Sequence, residues 1–239
     1  MWHITTYRPV SLVSLKISTA TSTGGKSLLF PTPFALKMAV LGIAISVKGV
    51  EVGESLWPAI RDGRVAVHGP KQISVNNSFT KILKPMKGKP SQDPDTGLIR
   101  PLIKTIGFRE YVQWQGSFSI AFAPAAAMPD DLPHWLTMIS YLGKRGGFIQ
   151  AIDAPEIVSE LPGDFTELRS LEGQFPLDGT LQIMDDCSPK LSFEQVNIYT
   201  SKTIRLGKDR ILHHVILPYR LTQSSRGYSL YQRLDIPIN

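Results

Sequence analysis

The chain is short of cysteine, of acids relative to bases, and of long apolar runs without charge. A single cysteine, Cys187, among 239 residues excludes an internal disulfide and any thiolate-based zinc site, and it suits a reducing compartment. With nothing cationic beside it in sequence to favour a thiolate, Cys187 reads as a surface thiol. The stretch from Phe30 to Val50 falls short of the about 20 apolar residues that a bilayer needs and carries Lys37 near its middle, which argues against a membrane span. Residues Met1 to Pro9 lack a basic segment followed by an apolar core, so no export signal is expected and the expected location is the cytoplasm. The five histidines, His3, His68, His134, His213 and His214, are not spaced with acids as in a hydrolase or metal signature. Neighbours on a strand point to opposite faces, so His213 and His214 could not chelate one ion together. No catalytic set, metal or cofactor is therefore expected. Internal repeats are absent as well.

What is present is a folding composition, with 42% hydrophobic and 19% charged residues. The formal net charge of +6 favours a polyanionic partner, although solubility alone would also account for it. Val13, Leu15 and Ile17 alternate with Ser14, Lys16 and Ser18, which predicts a first strand. Phe30 to Val50 then predicts a buried helix: Thr32 suits the N-cap, Pro33 the first helical position, and Gly49 the C-terminal stop. Lys37, alone in that apolar surface, is expected at a mouth or on a bound anion.

A second strand is expected at Arg64 to His68, and the clearest runs from Gly107 onward. There Val112, Trp114, Phe118, Ile120 and Phe122 share one face, which reads as core. Asp130 or Asp131 would cap a second helix burying Trp135, Met138, Ile139 and Leu142, followed by a strand from Phe148 to Ile152. The resulting order is the ferredoxin-like βαββαβ arrangement, an α+β fold that fixes no function by itself. Domain boundaries are placed at 1–155 for this unit and 156–239 for a small C-terminal β region, with strands expected at Phe193 to Tyr199, Ile211 to Tyr219 and Tyr228 to Leu234.

Three basic segments interrupt this frame. Thr23-Gly-Gly-Lys-Ser27 is not a P-loop, because position 20 is alanine and Phe30-Pro31-Thr32-Pro33 stops a helix from running on from Ser27. Lys26 is left either in a solvated loop or on a phosphate. The insertion from about 79 to 108 carries Lys81, Lys84, Lys87, Lys89, Arg100 and Lys104 against Asp93 and Asp95. Its prolines Pro85, Pro90, Pro94 and Pro101 oppose a helix, and two apolar arms around a polar tip from Gly88 to Gly97 suit a hairpin. Asp93-Pro-Asp-Thr-Gly97 lacks the further ligands of a calcium loop and reads as the turn at that tip. The third segment, Gly143-Lys144-Arg145-Gly146-Gly147, combines backbone N–H groups with two cations and suits phosphate.

Two of these stretches, Phe30-Pro-Thr-Pro-Phe-Ala-Leu-Lys-Met-Ala and Tyr141-Leu-Gly-Lys-Arg-Gly-Gly-Phe-Ile-Gln150, together resemble the Cas-five family of CRISPR-associated RAMP proteins. The likeness spans Met1 to Ile152 and is closest to type I-B and its transposon-associated relatives. The resemblance implies an RRM-like RAMP core with a protruding thumb hairpin, for which the segment from Lys81 to Lys104 is placed. It also implies a non-enzymatic RNA-binding subunit that caps the 5′ handle of the crRNA in a type I Cascade surveillance complex, in antiviral defence or RNA-guided transposition. The implied partners are that crRNA, the backbone and large subunits, target DNA through the complex, and transposition proteins, with no membrane. One subtype of the family cuts guide precursors with a tyrosine, lysine and histidine constellation, which has no counterpart here. A metal-independent endoribonuclease acting on pre-crRNA is the alternative.

Overall fold

The computed structural model describes residues 1–19, 26–100, 102–143, 146–170, 178–197 and 199–234, with Arg100 described in its backbone alone. The chain opens directly on a strand, β1 (Trp2–Pro9). The stretch expected to be the first strand, Val13 to Ile17, makes only single bridges, Val13 to Val112 and Lys16 to Ser27, although Val13 and Leu15 are buried. Strand β1 hides from a pattern search because it packs on both faces, with Trp2 and Ile4 buried on one and Thr5 and Tyr7 on the other.

Helix α1 (Pro33–Lys48) begins and ends as its caps dictate. Thr32 Oγ1 accepts a hydrogen bond from Ala35 N at 3.2 Å, and Gly49, at φ 92°, donates to Ile45 O. The chain then turns straight into a second helix, α2 (Val50–Arg61), in spite of Gly53 and Pro58 within it. Gly53, which reads as a breaker, is a packing surface: a Cβ there would lie 2.5 Å from the Ile45 side chain, so its absence lets α2 lie against α1.

The next six strands form one hairpin, whose arms are shared between two sheets and whose tip pairs separately. Strands β2 (Arg64–His68) and β3 (Gln72–Pro85) run out; β4 (Ser91–Gln92) and β5 (Ile99–Arg100) make the tip; β6 (Leu102–Trp114) and β7 (Phe118–Ala123) return. The pairing keeps one register from Arg64↔Ala123 to Pro85↔Leu102. Between the sheets the hairpin bends at Gly69-Pro70 on one arm and at Gly116, φ 130°, on the other. The expected single strand from Gly107 is thus β6 and β7 in different sheets, while its aromatic face is core as read: Val112, Trp114, Phe118, Ile120 and Phe122 are all buried.

Helix α3 (Leu132–Thr137) is far shorter than expected; Asp131 makes no capping bond and pairs instead with Lys48 at 2.7 Å. Met138 is 39% exposed, although Trp135, Ile139 and Leu142 are buried. Strands β8 (Ile149–Ala151) and β9 (Glu156–Val158) both pair with β1, and β10 (Thr166–Glu167) pairs with β2. The first sheet therefore runs β10-β2-β7-β1-β8, with its inner face on α1, α2 and α3.

The last third is not an appendage. Strand β11 (Thr180–Cys187) pairs with β12 (Arg210–Leu217), and β13 (Tyr219–Ser224) with β14 (Tyr228–Arg233). Strand β14 then pairs with β3, completing the second sheet in the order β13-β14-β3-β6. Met184, Cys187, Leu191, Val215, Leu217 and Tyr219 join the same apolar core as Tyr7, Leu36 and Trp114, so packing crosses the boundary drawn at 155/156. The strand expected at Phe193 is instead one helical turn, α4 (Phe193–Val196), held by a reciprocal cap between Ser192 and Gln195.

Candidate nucleic-acid interface

The hairpin leaves the body of the protein where its aromatic base ends. Phe30 packs on Trp114 and Tyr219 at centroid distances of 6.3 and 5.9 Å, and Trp114 stacks on Phe118 at 4.6 Å. Trp114 Nε1 donates to Leu29 O at 3.0 Å and the Tyr219 hydroxyl to Pro70 O at 2.7 Å, so the bend is pinned by rings whose polar ends are satisfied. Ile73 and Val75 are buried; outward from the Phe79 and Phe108 rings, 5.1 Å apart, β14 no longer covers β3 and the arm stands alone as a two-stranded ribbon.

Directly opposed residues of an antiparallel pair share a face, which sorts the ribbon's side chains. Lys81, opposite Ile106, and Lys104, opposite Leu83, lie on the face that continues the buried one; Lys84, opposite Ile103, lies on the other. Lys81, Lys87, Lys89 and Lys104 are exposed and Lys84 is half-buried, and among the described residues none of these five forms an ion pair. At the tip, Asp93 Oδ1 accepts from Asp95 N and Thr96 N at 2.9 and 3.2 Å, the side-chain turn that its sequence suggested. Arg100 pairs with Ser91 by its backbone, and its side chain lies outside the described residues.

The remaining expected contacts divide. Lys26 is exposed, and the next residue, Ser27, donates its N–H to Glu110 Oε2 at 2.7 Å, which ties this loop end to the base of the ribbon. Lys16, bridged to Ser27 and exposed, joins Lys26 there; its place in a polar-out alternation was the available signal, and charge counting passed over it. Lys144 and Arg145 lie outside the described residues. Their flanks are described: Gly143 and Gly146 have φ of 73° and 100°, and a bridge between Tyr141 and Phe148 closes the turn.

Lys37 is held by an internal ion pair. It is 2% exposed, with Nζ 2.6 Å from Asp186 Oδ1 and 2.8 Å from Arg61 O. A lysine in an apolar helix needs a counter-charge, and Asp186 on β11 supplies one. Cys187 is equally internal at 4% exposure, and burial pushes its thiol up to about 12, far from thiolate chemistry. The two better-placed histidines are also held. His68 sits with Nδ1 2.6 Å from Asp164 and Nε2 against the Arg233 guanidinium, and burial lowers its pKa. His213 Nδ1 faces Ser170 at 3.3 Å, with Nε2 3.7 Å from Asp186. Among the described residues no three His, Cys, Asp or Glu side chains gather as metal ligands, and no helix is long and apolar enough to cross a membrane.

Fold and site together define a sheet-rich α/β protein that projects a lysine-bearing arm from a core closed by its own C-terminal third. The sequence is 27% identical over 217 residues to the CRISPR-associated protein Cas5 of Archaeoglobus fulgidus, covering 85% of this chain and 87% of that protein. The resemblance to the Cas-five family is thereby borne out. No protein-family model matches the chain. Two solved structures align along nearly all of it: a CRISPR protein from Archaeoglobus fulgidus, with 97% of this chain and 91% of that one covered, and a chain of a CRISPR RNA-guided surveillance complex, with 100% and 92% covered. Both are 12% identical with a TM-score of 0.47, a distance at which no role carries over from one chain to the other.

Proposed function

We propose that this chain is a non-catalytic RNA-binding subunit of a type I Cascade complex that holds the 5′ handle of the crRNA. The observation that carries the reading is the free ribbon, whose lysines form no ion pair among the described residues, on a chain similar in sequence to a Cas5 protein. Lysines with no carboxylate partner among the described residues are available to phosphates, and a two-stranded arm can reach along a strand of RNA without reading its bases. We also infer that β1, β2, β7 and β8, in the order β2-β7-β1-β8 with α1 and α3 on the inner face, make up the ferredoxin-like βαββαβ unit, its middle hairpin drawn out into the thumb. The absence of catalysis is supported by how the candidate side chains are engaged: Lys37, His68 and His213 each serve an internal contact.

Incubating the purified chain with repeat RNA tests this reading. Uncut RNA retained with an affinity that falls steeply with salt is the expected result. Cleavage at a defined position would assign an endoribonuclease instead, and no binding at low salt would leave a subunit that meets only protein.

A further inference from the structure

The outer face of the first sheet, turned away from the helices, is only half covered. Trp2, Ile4, Ala66 and Ala121 pack against Val158 at the end of β9 and Leu161 and Phe165 from the segment after it. The other half, where β1 ends beside β8, carries no such cover among the described residues. Its pairing continues from Arg8↔Gln150 to Val10 and Phe148, whose backbones are joined at 3.0 Å, and Tyr141 bridges Phe148 from the far side. One row across the face is therefore Tyr141, Phe148 and Val10, exposed by 41%, 49% and 56%, and the next is Gln150 and Arg8, both exposed. Ser11 Oγ donates to Gly146 O and accepts from Phe148 N, each at 2.7 Å, which fixes Phe148 beside the glycine turn. A Cβ at Gly146 would meet nothing within 4 Å among the described residues beyond its chain neighbours.

We propose that this open half is a stacking platform for one unpaired nucleobase of a single-stranded RNA. Phe148 lies under the base with Tyr141 beside it, Gln150 faces the base edge, and Arg8 takes an adjoining phosphate. A site for a protein strand or helix would present a continuous aliphatic surface. Here two rings alternate with a guanidinium and an amide, the combination that flat bases joined by phosphates require. The proposal rests on the RNA-binding reading and adds a second contact point, distinct from the ribbon and of a different kind.

The test titrates the full chain with a short single-stranded repeat RNA carrying 2-aminopurine, whose fluorescence is quenched on stacking. The wild-type chain is expected to quench it. Phe148→Leu, which keeps an apolar side chain at a half-exposed position and an unchanged Tm, should abolish the quench and weaken binding about tenfold without altering the salt slope. Arg8→Gln should keep the quench and lower the salt slope by about one. Wild-type affinity and quench in both variants would overturn the platform while leaving the ribbon reading intact. A Phe148→Leu chain that binds RNA normally but no longer joins its protein partners would overturn it too, assigning the face to protein. If the wild-type chain binds no RNA at any salt concentration, both readings fall together.

Discussion

Lys37 shows how a charge that looks functional can be structural. Its ammonium and the Asp186 carboxylate are joined across 149 positions of sequence, so neither alone announces the other. Removing one member strands a buried charge, and Lys37→Met should cost about 3–5 kcal/mol in urea unfolding while leaving RNA affinity unchanged in the folded fraction. The double change Lys37→Met with Asp186→Leu should recover most of the loss. Cap chemistry, by contrast, was readable, because Thr32, Pro33 and Gly49 act on bonds within a few residues of themselves. His68 adds a pH dependence. Burial, with the Arg233 guanidinium beside Nε2, outweighs the pull of Asp164 at Nδ1, so the folded-state pKa lies below the ordinary value of 6.5. A depressed histidine stabilises the fold above its unfolded pKa. Stability should therefore decline as pH falls below about 6.5 and level off beneath the folded pKa, and His68→Gln should flatten that decline in thermal melts.

At the scale of elements, the long hairpin decides what could be read and what could not. Its apolar arms and polar tip gave it away, whereas its bend did not, because Val112 to Phe122 keeps one buried face through Gly116 and so presents an unbroken pattern. Helix α2 is hidden in the sequence for the converse reason: Gly53 and Pro58 look like punctuation, although Gly53 is where α1 packs and Pro58 stays on the exposed side. At the bend, a Cβ on Gly69 would lie 2.3 Å from the Phe30 ring and 2.5 Å from the Tyr219 hydroxyl. Gly69→Ala should cost about 1–3 kcal/mol by overpacking and loosen the ribbon's base, seen as faster amide exchange at Ile73 and Trp114. Deleting Gly88 to Gly97 acts only beyond that base. The shortened protein should keep its Tm, yet leave the 5′ end of the guide open to nuclease in the assembled complex; full protection would contradict the ribbon's assignment.

The whole molecule folds as one interlocked body, which no reading in chain order could show, because its closing strands come last. Strand β14 lies on β3, β9 on β1 and β10 on β2, and Met184 and Leu217 complete a core begun by Tyr7. A chain ending at residue 155 should accordingly fail to give a cooperative melt, and recovery of a stable, protease-resistant fragment of that length would refute this. The unbroken register of the hairpin has a further consequence, which concerns length. Adding a residue to one arm alone would slip every pair beyond it to the opposite face. Keeping both the aromatic foot and the lysine pattern in place requires two extra residues on each arm together, about 7 Å at the rise of a strand. The reach of this arm can thus change only in discrete steps, like the marks of a ruler.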